Sequence, residues 1–164
     1  MNSAPPHRSP TAHTHTFTQL LSPTRRGARL ARLMAMNALR AWQVPASVTE
    51  RAEQIVAELA SNAALHGHVD GRDFRLALTY DPAGTSATPA ALLRIAITDA
   101  CGDRLPNPSP EPLPTLAESG RGLLLVTTLA DRWGTTPYPP SGKTVWAQLD
   151  IAGGASRHDR ADVA

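Results

Sequence analysis

Between residues 48 and 63 the apolar positions Val48, Ala52, Ile55, Val56, Leu59 and Ala63 fall on one helical stripe about 100° wide. A helix with so continuous a stripe must lie on a core, and 164 residues suffice for one domain with such a core. Hydrophobic residues make up 41% of the chain but aromatics only 4%, so that core is built from Leu, Ala, Val and Ile. A polar row, Glu58, Asn62 and His66, borders the stripe at one-turn intervals. His66 falls at its edge, Asn62 just beyond, and Glu58 further round the same side. A carboxylate and an amide at the seam between a helix and what it packs on stand where a cleft forms. On one helix alone they read first as a solvated i,i+4 pair.

The flanking chain supplies the rest of a domain. Residues 1 to 16 hold Pro, Ser, Thr and His with little to bury, which predicts a disordered tail. The "HTH" at 13 to 15 is at most a weak metal site on such a tail. A strand is expected near Phe17 to Leu21. Pro23 and Thr24 then open a helix to about Trp42, with Leu30, Leu33, Met34 and Ala41 facing inward and the arginines outward. Ser47 or Thr49 should cap the next helix, which runs to Gly67 as its C-terminal stop. Alternating apolar residues mark strands over Phe74 to Tyr80 and Leu92 to Thr98. A five-proline segment without periodicity, Asp103 to Ser119, has the length of a lid or binding loop. A helix over Arg121 to Ala130 and strands near Arg132 to Thr136 and Lys143 to Leu149 complete the order. The pattern predicts a two-layer α/β sandwich over residues 17 to 150, helices on one face of a mixed β-sheet, with a frayed tail over 151 to 164.

Charge and cysteine usage exclude several classes. Met1 to Pro45 contains six arginines and no acid, yet fifteen of the sixteen basic residues of the whole chain are Arg. The arm therefore reflects general arginine usage first, and an acidic protein partner second. The single cysteine, Cys101, excludes an internal disulfide, and no base is tied to it by sequence that would make it a nucleophile. No apolar run reaches membrane-spanning length and no signal-peptide core is present, which points to the cytoplasm. "SGKT" at 141 to 144 is not a phosphate loop: that motif's first glycine would fall at Pro137, and a strand follows where a helix is required. No helix-turn-helix spacing accompanies the basic arm, so nucleic acid is not an expected partner.

Two later signals reinforce the polar row. Asp99 ends an apolar strand in "RIAITDACGD", where a sheet would hold its carboxylate against the occupant of a cleft. "ESGRGLLLV" then sets Gly120 and Gly122 immediately before a helix, where close backbone approach and free N–H groups favour phosphate. At these residues the chain resembles a family. "ELASNAALHG", "DACG" and "GRGLLLV" look like the N, G1 and G2 boxes of the GHKL ATPase superfamily, and most of all like its stand-alone anti-sigma-factor serine/threonine kinases of actinobacterial type.

That resemblance implies a Bergerat-type fold with ATP between the helical layer and the lid. Asn62 would ligate Mg²⁺ and Glu58 would be the general base. Asp99 would accept from the adenine amino group, and Gly102, Gly120, Arg121, Gly122 and Leu123 would line the phosphate side. Thr144 would sit near the adenine. His66 matches a polar box position, where a buried structural imidazole is an equal expectation. The implied partners are an anti-anti-sigma-type (STAS-like) protein carrying an acceptor serine and a sigma factor, and a homodimer is allowed. The middle box departs from the family's Asp-x-Gly-x-Gly, reading Asp99-Ala-Cys-Gly-Asp103. An added carboxylate near phosphate implies slow transfer, and leaves open a module that binds nucleotide only to sequester a partner.

Overall fold

The computed structural model describes residues 13–84, 90–102 and 118–152. Among the described residues, five strands and three helices follow the order β1 (His15–Leu21), α1 (Arg25–Ala41), α2 (Ala46–Leu65), β2 (Phe74–Asp81), β3 (Ala91–Asp99), α3 (Glu118–Leu129), β4 (Arg132–Tyr138) and β5 (Gly142–Ile151). The sheet has the strand order β1-β2-β3-β5-β4. The expected two-layer α/β sandwich is what forms. The sheet, however, is not mixed: every neighbouring pair runs antiparallel. The chain leaves β3 through α3 and enters β4 at the edge, and a tight turn then folds β5 back into the gap between β3 and β4. Each new neighbour is thereby reached from the opposite direction.

Residues 15 and 16 belong to β1, not to a tail. His15 stacks with Trp42 (5.6 Å between ring centres) and Tyr80 (5.9 Å). The lid expected over Asp103 to Ser119 lies almost wholly outside the described residues.

Strand alternation fixes the inner face. Phe74, Leu76 and Leu78 on β2, Leu93, Ile95 and Ile97 on β3, and Leu149 on β5 are almost fully buried against the helices. Each such side chain contributes about 1.5–3 kcal/mol on burial. From α2 the whole predicted stripe is buried, from Val48 to Ala63. The first helix differs from expectation. It buries Ala28, Ala31, Ala35, Met36 and Leu39, while Leu30 and Leu33 are 41% and 54% exposed. Small residues let α1 approach α2 and the sheet closely, and that proximity outweighs the larger apolar area of the leucines.

Thr24 caps α1 by accepting from Gly27 N at 3.0 Å. The cap foreseen at Ser47 or Thr49 is absent: α2 begins after Pro45 with no side-chain cap bond. Thr49 instead turns its hydroxyl to Val44 O at 3.3 Å.

Candidate functional site

The polar row of α2 does border a second helix. Arg51 lies on the same row, two turns before Glu58, and its guanidinium donates to Leu129 O from Nε at 2.9 Å and from a terminal nitrogen at 2.6 Å. It also pairs with Asp131 at 3.1 Å. This clamp fixes the end of α3. Seven residues of helix rise about 10.5 Å whether counted from 51 to 58 or from 122 to 129. An antiparallel α3 held at Leu129 therefore delivers Gly122 to Glu58. A Cβ built on Gly122 would collide with Glu58 Oε2 and lie 3.8 Å from Asn62 Nδ2. The helix backbone can meet the carboxylate and amide only because residue 122 is glycine.

Helix α3 starts at Glu118, three residues earlier than the sequence suggests, so Gly120 and Gly122 lie within the helix and not immediately before it. Leu123 is 4% exposed and packs inward.

At the other end of the site, Asp99 is the last residue of β3 and 6% exposed. Its Oδ1 accepts from Cys101 N at 2.9 Å and from Lys143 Nζ at 3.0 Å. The two charged side chains are 6% and 7% exposed. Lys143 Nζ also donates to Cys101 O at 2.5 Å. Gly102 is held to the β4–β5 turn by its N–H donating to Ser141 O at 2.6 Å. Gly67 joins the two halves. Its N–H donates to Asn62 O at 3.1 Å, and a Cβ there would stand 2.5 Å from Asp99 Cγ. The glycine provides space: its φ is not among the left-handed values of the described residues.

One expected member lies elsewhere. Thr144 faces the outer, helix-free side of the sheet, where it shares a hydrogen bond with Thr98 at 2.7 Å. Alternation on β5 sends Lys143, Val145 and Ala147 inward and Thr144 outward. His66 is not a buried imidazole. It is the exposed C-cap of α2, and its N–H donates to Asn62 O at 2.8 Å. Two residues on, His68 bonds Asp70 at 2.9 Å and Pro23 O at 3.1 Å. These bonds, that to Asp70 foremost, raise its pKa above the ordinary 6.5.

Lys143 and Arg51 are residues the motif reading missed. The signal for Lys143 was present, since it is the one lysine among fifteen arginines and pairs in register with Asp99. Nothing local marked Arg51.

Magnesium takes neutral as well as anionic oxygens, and Asn62 would supply one neutral amide oxygen. Gly122 packs its backbone against Glu58 and beside the Asn62 amide, so phosphates could enter there only if α3 moved away from α2. Among the described residues no group of three or more His, Cys, Asp or Glu could hold a metal by protein ligands alone, so nucleotide phosphates and water would complete the shell.

A family model described as the histidine kinase-like ATPase domain matches residues 21–149. Among solved structures, the RsbU and RsbW domains of Rv1364c from Mycobacterium tuberculosis are similar with a TM-score of 0.58 at 14% sequence identity. The match covers 86% of this chain and 34% of that one, so the chain spans about a third of that structure's length. At this identity the likeness speaks for the fold. No curated protein matches the chain. The family match takes in α2 with its polar row, Asp99 and the glycine-bearing start of α3, and this chain belongs to the histidine kinase-like ATPase domain family.

Proposed function

We propose that the chain binds Mg-ATP between the second half of α2, the end of β3 and the first turns of α3, and passes the γ-phosphate to a serine of a partner protein. The observation that carries this reading is the meeting of Glu58 and Asn62 of α2 with Gly122 of α3 at one place, across the seam between the two helices. Asn62 offers its amide oxygen to magnesium. When bound, that ion neutralises charge on the phosphates. Glu58 takes the proton of the serine hydroxyl. The serine oxygen–phosphorus bond then forms as the bond between the γ-phosphorus and the bridging oxygen breaks, and ADP leaves. Asp99 accepts from the exocyclic amine of adenine.

The partner is an anti-anti-sigma-type (STAS-like) domain with an acceptor serine, which competes with a sigma factor for this chain and so regulates transcription. The name of the similar structure, with its RsbU and RsbW domains, supports such partner switching. The face favoured for docking is the groove between α1 and α2. There Arg25, Arg29 and Arg32 stand over Ala57, Ser61 and Leu65, and α1 has no acid in its first turn. Among the described residues no helix is long and apolar enough to cross a membrane.

A second reading, a module that binds nucleotide without turnover and sequesters its partner, is favoured by the departure of Asp99-Ala-Cys-Gly-Asp103 from the family's middle box. Incubation with γ-labelled ATP and candidate partners separates the two. Label on a partner serine that vanishes with Glu58→Ala supports the kinase. Nucleotide-dependent complex formation without label refutes transfer and leaves sequestration. Calorimetry must show ATP binding that loses its magnesium dependence in Asn62→Ala. No binding at millimolar ATP with magnesium sinks both readings.

A further inference from the structure

On the outer, helix-free side of the sheet, a solvent-open cavity of about 160 Å³ lies where the start of β2 and the end of β3 meet the β4–β5 turn. Strand alternation sends Arg75 to this side, between the buried Phe74 and Leu76, and sets it beside Thr98 in the β2–β3 register. The half-buried guanidinium rests over the Tyr138 ring, 5.1 Å from its centre. Among the described residues it has no carboxylate or carbonyl acceptor. Arg32, Arg51 and Arg132, by contrast, each hold an acid. We propose that this cavity binds a monocarboxylate with a compact apolar body, its carboxylate seated on the fork of Arg75. The site lies across the sheet from the helices that carry Glu58, Asn62 and Gly122, so the inference stands apart from the nucleotide reading.

The lining is rich in donors. A guanidinium carries five N–H donors and no acceptor. Thr98 and Thr144 share one hydroxyl proton at 2.7 Å, which leaves the second proton to donate to a ligand. Arg72 adds a second guanidinium at the rim and Asp73 a carboxylate, and neither side chain forms an ion pair among the described residues. Asp99 also borders the cavity, but its charge is met by Lys143. A single net positive charge remains. That balance suits a monoanion, whereas a phosphate dianion would gain less from it and be repelled more by Asp73.

The fork is also held ready. Stacking on Tyr138 orders the guanidinium plane, so little rotamer freedom is left to lose when a carboxylate engages it. The rest of the wall is apolar. Leu20 is 59% exposed and Pro139 and Pro140 line the opposite side. An apolar body attached to the carboxylate would cover these surfaces, which a bare inorganic anion leaves in water. A benzene ring occupies a cavity of roughly 150 Å³, so one ring or a short branched chain fits and a nucleotide does not. A free acid and the C-terminal residue of a peptide share this chemistry.

Benzoate and acetyl-alanyl-phenylalanine, each beside its own amide, are titrated into the full chain, with inorganic phosphate in parallel. The ring resonances of Tyr138, one of only two tyrosines, report binding by NMR. Each acid that binds should do so at least about tenfold more tightly than its amide, which keeps the body and loses the charge. Arg75→Gln should weaken that binding about tenfold, and Arg75→Lys, which keeps the charge without the fork, should restore only part of it. A saturable shift with one acid assigns that source, and a shift with both admits either. No saturable shift with either acid overturns the inference, as does an amide that binds as tightly as its acid. So does unchanged acid affinity in Arg75→Gln, or phosphate that binds more tightly than both acids. Should Arg75→Gln not fold, the comparison of acid with amide on the wild type decides alone.

Discussion

Gly67→Ala isolates the contact that joins the two ends of the site. The new Cβ would stand 2.5 Å from both Cγ and Oδ2 of Asp99 and 2.8 Å from its Cβ. That is roughly 0.9 Å short of ordinary van der Waals contact. Asp99 cannot give way easily, because Lys143 Nζ and Cys101 N hold its carboxylate. The end of α2 must retreat instead, and with it the bond from Gly67 N to Asn62 O. Overpacking of this kind costs about 1–3 kcal/mol. The lower entropy of the unfolded alanine chain returns about 0.4–1 kcal/mol, since the backbone at 67 accepts alanine. The net loss is about 1–2 kcal/mol, a fall in Tm of about 4–8 °C for a domain of this size.

Far-UV circular dichroism measures the melt, and calorimetry with ADP measures the site. ADP affinity should fall as well, because Asn62 and Asp99 are pushed apart. Gly71→Ala is the matched control. Its φ is +72° and no atom lies within 4 Å of the added Cβ, so it should lose about 1 kcal/mol through backbone handedness while ADP affinity stays unchanged. A Gly67→Ala protein that melts at or above the wild-type temperature would refute the reasoning, because glycine would then not be needed for space.

Arg51→Lys keeps the charge but loses the fork on Leu129 O, and should cost about 1–2 kcal/mol after allowance for partial exposure. Amide exchange should accelerate in α3 ahead of the core strands; uniform acceleration would mean that Arg51 does not position that helix. Asp99→Ala should weaken ATP far more than GTP, because the lost acceptor served an exocyclic amine. Equal losses, compared by competition binding, would count against a base-reading role. His68 has a raised folded-state pKa. Its link to Asp70 and Pro23 therefore contributes fully below the unfolded value near 6.5 and is lost as pH rises through the higher folded value. Asp70→Asn should lower the His68 midpoint in an NMR titration, and an unchanged midpoint would assign the shift elsewhere.

The elements themselves were written in local sequence. A 3.6-residue period over Val48 to Ala63 and a two-residue period over Phe74 to Tyr80 report helix and strand, because each side chain's direction follows from backbone geometry alone. The same alternation on β5, read through Val145, Ala147 and Leu149, already sent Lys143 inward and Thr144 outward, away from the base position the motif suggested. The row Glu58, Asn62 was legible for the same reason, since its spacing is a property of one helix. Which face each element buries was decided by its neighbours. Leu30 and Leu33 had the greater apolar area, but α1 packs by its alanines because α2 and the sheet come close to it there. The site's decisive meetings join residues far apart in the chain: Arg51 with Leu129, Glu58 with Gly122, Asp99 with Lys143. No local period encodes them. They exist because the clamp at Leu129 sets how far α3 slides along α2, and because β5 returns to fill the gap beside β3.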